Sequence, residues 1–164
     1  MLIAAISDTH LPRGRRRLSD DCVERLRQAD LILHAGDIST AEVLADLEQI
    51  GPPVKAVYGN VDSEELRSRL PEQLQIDAAG TRIALIHDAG PATGRLKRMR
   101  KRFRKARAVV FGHSHIPLHE QAADDGFQIF NPGSPTDRRR QPRHTMGSAD
   151  VGPDGIDFAL VELD

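Results

Sequence analysis

Val109-Val110-Phe111-Gly112-His113-Ser114-His115 is the stretch that decides how this chain is read. The β-branched and aromatic run marks a short buried strand, the glycine ends it, and two histidines follow at once. Residues two apart in extended backbone point the same way, so both imidazoles can face one centre. Two neutral imidazoles converging beyond a strand end make half of a metal site. Taken alone, the pair reads first as two solvated loop histidines, and the other strand ends have to decide.

Working outward, the pattern repeats. Leu2–Ile6 is an apolar run that leads into Ser7-Asp8-Thr9-His10, and Leu31-Ile32-Leu33 leads into His34-Ala35-Gly36-Asp37. Val54–Tyr58 closes on Gly59-Asn60, and Arg82–Ile86 on His87-Asp88. Between these strands lie helical segments: Asp20–Gln28, one opened by the capping box Ser39-Thr40-Ala41-Glu42, and one opened by Asp62-Ser63-Glu64-Glu65 and bounded by Pro71. A further helix is expected from Gly94 to Arg107, with Leu96, Met99, Phe103 and Ala106 on its inner face. After the opening strand come a hairpin through Asp124-Asp125-Gly126, the loop Asn131-Pro132-Gly133-Ser134, and a hairpin turning at Pro153-Asp154-Gly155. Strands alternating with helices and then consecutive hairpins predict an α/β core completed by antiparallel strands, in one layered domain over residues 1–164.

Composition sets outer bounds. A chain of 164 residues with 39% hydrophobic and 29% charged residues is an ordinary globular domain that needs no disulfide staples. The single cysteine, Cys22, falls in an apolar-periodic segment and reads as a small core residue. The apolar amino terminus is too short for a signal peptide, and no run approaches the ~20 residues of a membrane span, so a cytoplasmic protein with no membrane partner is expected.

The five strand ends together deliver Asp8, His10, Asp37, Asn60, His87, His113 and His115 to the carboxyl edge of a sheet, where α/β ligand crevices lie. Singly, each has a plain reading as a helix cap, a turn residue or a loop histidine. Together they supply four imidazoles, two carboxylates and an amide oxygen, more than one ion needs. Nitrogen and oxygen ligation without thiolate suits two divalent ions, with Mn²⁺ the first choice and Fe, Zn²⁺, Ni²⁺ or Co²⁺ as alternatives. Such a pair can clamp both oxygens of a phosphoryl displacement and generate hydroxide at neutral pH.

In this order, Asp8-x-His10, Gly36-Asp37, Gly59-Asn60, His87 and Gly112-His113-Ser114-His115 resemble the motifs of the calcineurin-like metallophosphoesterase superfamily. The Ser7-Asp8-Thr9-His10 opening, the short chain and Asn131-Pro132-Gly133-Ser134 are similar to its small bacterial and archaeal phosphodiesterase branch. The resemblance runs from about Met1 to Ser134. It implies two facing mixed β-sheets flanked by helices. It implies that Asp8, His10 and His115 hold one metal, that Asn60, His87 and His113 hold the other, and that Asp37 bridges them. A metal-bridging hydroxide would then attack phosphorus in line, with Asn60 helping to stabilise the phosphoryl oxygens.

Two positions depart from the family pattern. Many members carry a histidine directly after the Gly-Asn pair, where it helps protonate the leaving group; here Val61 stands there, and Asp62 is the candidate substitute. The metal histidine is usually followed by glycine, and here Asp88 follows it, either orienting His87 or merely solvated. His34 reads as packed or supporting, and His119 and His144 as exposed or supporting.

The arginines bear on substrate. Nine cations and no acid between Arg95 and Arg107 read first as a solvated face balanced by acidic helices such as Asp62–Glu65, and second as a nucleotide or nucleic-acid surface. The clusters Arg15–Arg17 and Arg138–Arg140 flank the expected site loops, so Arg139, with Ser134 of the nearby loop, is expected to grip substrate phosphate. The leading function is a metal-dependent phosphodiesterase. The alternatives are a non-catalytic interaction scaffold of the same fold and a nuclease or nucleotide phosphatase using the basic patches. A homo-oligomer built on the late hairpins is a further expectation.

Overall fold

The computed structural model describes residues 1–163, so Asp164, the last residue of the expected domain, lies outside the described residues. The strands are β1 (Leu2–Ile6), β2 (Leu31–Ala35), β3 (Val54–Val57), β4 (Gln73–Ala78), β5 (Thr81–Ile86), β6 (Ala108–Val110), β7 (Leu118–Gln121), β8 (Gln128–Asn131), β9 (His144–Gly152) and β10 (Gly155–Leu163). The helices are α1 (Asp20–Gln28), α2 (Ala41–Glu48), α3 (Glu64–Arg69) and α4 (Arg95–Arg102). They form two five-stranded sheets, ordered β10-β9-β1-β2-β3 and β4-β5-β6-β8-β7. Each sheet is mixed. The pairs β1–β2, β2–β3, β5–β6 and β6–β8 are parallel, and β1–β9, β9–β10, β4–β5 and β7–β8 are antiparallel.

The continuous apolar runs follow from burial on both faces of each sheet. In β1, Ile3 and Ala5 enter the core between the sheets while Ala4 and Ile6 face the helical layer. In β5 and β6, Ile83, Leu85, Ala108 and Val110 point inward, and Ala84, Ile86 and Val109 point outward. Leu26 of α1 and Leu47 of α2 cover the outside of the first sheet, and Met99 of α4 covers the second. Each fully buried Leu or Met contributes about 1.5–3 kcal/mol. Cys22 is buried among these contacts, and its thiol is pushed up to about 12 by burial. No helix of the described residues is long and apolar enough to cross a membrane.

Two expected elements differ. The helix predicted to run to Arg107 ends at Arg102, capped by Phe103 at φ −115° and ψ 58°. The periodicity ran on because Phe103 and Ala106 still bury their side chains against the same cluster after the chain has turned. The capping box at Ser39 does not form: Thr40 is the N-cap of α2, without a side-chain cap bond, and Ser39 takes φ 103° and donates its backbone N–H to Asp62. The expected helix start at Asp62-Ser63-Glu64-Glu65 does form, with Ser63 capping α3 and accepting the Leu66 N–H.

Candidate metal centre

The loops that leave β1, β2, β3, β5 and β6 meet at one rim of the sandwich. Backbone bonds knit neighbouring loops: Asp8 N–H donates to Gly36 O (2.9 Å), His10 N–H to Asp37 O (3.0 Å) and Gly112 N–H to His87 O (2.9 Å). Asp8, His10, Asp37, His113 and His115 all take left-handed φ, between 48° and 69°. That conformation costs a non-glycine residue roughly 1–2 kcal/mol, and it persists because the knitted loops over-determine it.

The side chains converge. Asp8, His10 and His115 form one buried group, and Asp8, Asp37 and His87 a second, with the donor atoms of each group within 4.8 Å of one another. Asp37 Oδ2 lies 3.5 Å from His10 Nε2 and 3.4 Å from His87 Nε2, so Asp37 faces both halves, as Asp8 does. Asn60 Oδ1 sits 3.0 Å from both His87 Nε2 and His113 Nδ1. Asn60 and His113 are exposed and form the mouth over the five buried residues.

The donor set fits divalent cations. His87 Nδ1 donates to Ala35 O (2.8 Å) and His115 Nδ1 to Asp137 O (2.6 Å). His115 therefore turns a bare Nε2 into the centre, the tautomer a metal-binding histidine takes, and His87 points its Nε2 at Asp37 and Asn60, where a cation would take the place of its proton. Asp8 is oriented by the Ser7 hydroxyl (2.8 Å) and the His113 N–H (3.0 Å). Glycines leave space for these groups. A Cβ on Gly59 would overlap the Asp37 carboxylate, and one on Gly112 would stand 2.7 Å from Asp8 Oδ2.

Electrostatics without a cation agree. Burial pushes the Asp8 carboxyl up to about 7 and pushes His10 and His115 down, so both imidazoles stay neutral. Burial works against charge on His87 as well, but the Asp37 hydrogen bond and the Asp8 and Asp37 charges prevail, and its pKa rises. Asp37, although opposed by burial, is held below the ordinary carboxylate range by His87. The carboxylates that raise the His87 pKa are the field a cation needs.

Several expected roles are relocated. Asp62 is not presented to a leaving group: it is 5% exposed, and its oxygens accept the N–H groups of Ser39 (2.6 Å) and Gly59 (2.7 Å). It braces the loops that carry Asp37 and Asn60. Ser134 does not face substrate either. Its buried hydroxyl donates to Asp8 O (2.8 Å) and accepts the N–H of Asp137 (2.8 Å). Asp88 caps its own turn at Gly90 (2.7 Å), and Ala35 O orients His87 instead. Arg139 is exposed beside the His10 and His115 half, 4.0 Å from Asp137. His34 is wholly buried beside the Thr9 hydroxyl (3.1 Å), and burial takes its pKa down to about 3. His119 packs edge-on against Phe130 and Phe158 and faces Gln128 (2.7 Å), away from the centre.

Two further residues hold the loops of the site from outside the donor set. Arg67, from α3, donates to Asn60 O (2.5 Å) and Asp62 O (3.0 Å), holding the Asn60 loop. Asn131 donates to Gly112 O (2.9 Å) and fixes the His113 turn. A groove of about 340 Å³ leads from Asn60 and His87 past Tyr58, Arg67 and Arg102. On α4, Arg100 pairs with Asp124 (2.9 Å) and Asp125 (2.7 Å), while Arg95 and Arg98 donate to carbonyls of Ala89, Gly90, Pro91 and Thr93. The acids that pair with α4 are thus Asp124 and Asp125 of the β7–β8 turn and Glu72 before β4, not Asp62–Glu65.

Known proteins agree with this geometry. Residues 1–154 match the calcineurin-like phosphoesterase superfamily domain, and the chain belongs to that superfamily. A probable metallophosphoesterase of Methanothermobacter thermautotrophicus is 34% identical over 142 residues, covering 83% of this chain and 78% of that protein. Among solved structures, zinc-complexed Vps29 from Entamoeba histolytica superposes with a TM-score of 0.78 at 19% identity, over 100% of both chains. An archaeal phosphodiesterase superposes with a TM-score of 0.73 at 21% identity, covering 98% of this chain and 100% of that one. At these identities, the structural matches establish the shared fold. The family makes the protein a metal-dependent phosphoesterase.

Proposed function

We propose that the protein is a phosphodiesterase with a dinuclear centre, Asp8, His10 and His115 holding one divalent cation, Asn60, His87 and His113 the other, and Asp37 between them. The observation that carries this reading is the convergence of imidazole nitrogens and two buried carboxylates at one rim, with the far nitrogens of His87 and His115 tied to carbonyls. Bound cations, with Mn²⁺ as the working choice, supply an activated water and charge for the phosphoryl oxygens. The chain itself does the rest. Ala35 and Asp137 carbonyls hold His87 and His115 in the ligating tautomer, and Asp37 stays ionised. Asn60 Oδ1 lies beside His87 Nε2 and His113 Nδ1, the atoms that would hold the same cation, which leaves the Asn60 amide N–H₂ to donate to a phosphoryl oxygen at the mouth. Arg139 offers a guanidinium at the same rim.

The groove that opens from Asn60 and His87 supports a diester, since it gives room for a second substituent on phosphorus. With Val61 in place of a histidine and Asp62 occupied, no side chain of this loop is free to protonate a leaving group, which favours good leaving groups. The complete donor set supports an enzyme over a scaffold. Internal pairing of Arg95, Arg98 and Arg100 on α4 weighs against a polyanion surface there.

The test is metal content together with hydrolysis of bis(p-nitrophenyl) phosphate and p-nitrophenyl phosphate in Mn²⁺. Two ions per chain and diester turnover that Asp37→Asn abolishes are expected. Absence of turnover by the fully loaded wild type would leave the scaffold reading in its place.

A further inference from the structure

A second cavity lies apart from the one that opens from Asn60. It is an open cleft of about 830 Å³ between the loop after β1 and the loop before β9, and Arg13, Arg15, Arg16, Arg17, Thr136 and His144 line it. Its size suits a nucleotide-sized ligand, since small-molecule pockets span about 300–1,000 Å³. Four guanidiniums face a single carboxylate on the cavity wall, that of Asp20. Arg16 is fixed by Asp137 (2.9 Å), the residue whose carbonyl also orients His115. Arg13, Arg15 and Arg17 make no side-chain hydrogen bond or ion pair among the described residues, in contrast to the internally paired Arg95, Arg98 and Arg100.

The cavity adjoins the candidate metal centre. The Arg13 N–H donates to His10 O (3.2 Å), and the Thr136 hydroxyl donates to Thr9 O (2.6 Å). It therefore flanks the His10 and His115 half, while the groove at Arg67 and Arg102 flanks the His87 half. Guanidinium clusters select phosphate through paired N–H donors. No Phe, Tyr or Trp lines the cavity, so it reads charge and has no platform for stacking a base.

From this we infer that the Arg13–Arg17 cavity is a subsite for a second phosphate group of the substrate, so that the preferred substrate is a phosphodiester whose retained part carries a further phosphomonoester. The inference rests on the phosphodiesterase reading above.

The experiment compares two substrates with the same reacting phosphate: thymidine 5′-(p-nitrophenyl phosphate) and its 3′-phosphorylated analogue. In the Mn²⁺-loaded wild type the extra phosphate should lower KM about tenfold with kcat little changed. In Arg13→Ala/Arg15→Ala/Arg17→Ala the KM ratio should fall to about one. The ratio is internal to each enzyme, so partial unfolding of the variant does not move it. Equal KM values in the wild type, or a tenfold ratio that persists in the variant, would overturn the subsite. Calorimetric titration with thymidine 3′,5′-bisphosphate reads the cavity without turnover. Binding should weaken about tenfold in the variant, and unchanged binding counts against the subsite. If the wild type hydrolyses neither substrate yet binds the bisphosphate through these arginines, the diesterase reading fails and the anion site stands.

Discussion

The Nε2 atoms of His10 and His115 stand 3.2 Å apart, their rings stacked within 19° of parallel, one carried by each sheet. Since His115 Nδ1 is committed to a carbonyl, its Nε2 can only accept, and in the metal-free protein His10 fills the gap with its own N–H.

A cation replaces that proton, so chelation should cost stability. At a hundredfold excess over Kd, Mn²⁺ should add about 2.7 kcal/mol, a rise of roughly 5–10 °C in Tm by calorimetry. Asp8 sets the pH dependence. Its folded pKa, near 7, lies above the ordinary 3.8, so the metal-free fold binds a proton that the unfolded chain releases. Metal-free stability therefore falls as pH climbs from about 4 to about 7. Loading must expel the same proton and weakens below pH 7, so the Tm gain should be largest above pH 7. A gain independent of pH would contradict this assignment.

His34 has the opposite sign. Its folded pKa of about 3 lies below the ordinary 6.5, so only the unfolded chain takes up its proton between those values. Stability from this group is complete above pH 6.5 and is lost as pH falls toward 3, by about 2 kcal/mol at pH 5. Urea midpoints at pH 7.5 and 5 should drop less in His34→Leu than in the wild type; parallel drops would place the acid sensitivity elsewhere.

Gly59→Ala should abolish metal-dependent turnover by displacing Asp37, with a loss of at least about a hundredfold in kcat. Gly152→Ala, where a Cβ meets nothing within 4 Å, is the control and should leave Mn²⁺ stoichiometry and rate unchanged. Equal activity of the two variants would show that the rim tolerates a shifted carboxylate.

Asp62→Asn should lower stability by about 1–3 kcal/mol, because one backbone N–H loses its acceptor. Its kcat for aryl and for methyl diesters should fall by the same factor. A selective loss on the methyl ester would restore Asp62 as the acid.

The strand endings were legible because burial on two faces writes uninterrupted apolar runs, and polar residues then stand out at each exit. The convergence of Asp8, His10, Asp37, Asn60, His87, His113 and His115 was readable from that grammar. What Asp62 and Ser134 do was not, since a carboxylate or hydroxyl turned toward backbone N–H groups looks the same in sequence as one turned toward substrate. The strained φ values of Asp8 and His115 were invisible for a related reason: aspartate and histidine carry no glycine's mark at a left-handed position. The paired state of Arg100 depends on a turn 24 residues away, beyond any local pattern.

The rim draws its donors from both sheets, Asp8, His10, Asp37 and Asn60 from one and His87, His113 and His115 from the other, and its stacked pair, His10 and His115, is 105 residues apart in the chain. No fragment of the nascent polypeptide can present the whole cage. Ion capture therefore comes after the two layers have docked, and a bound ion serves as a seal on finished assembly.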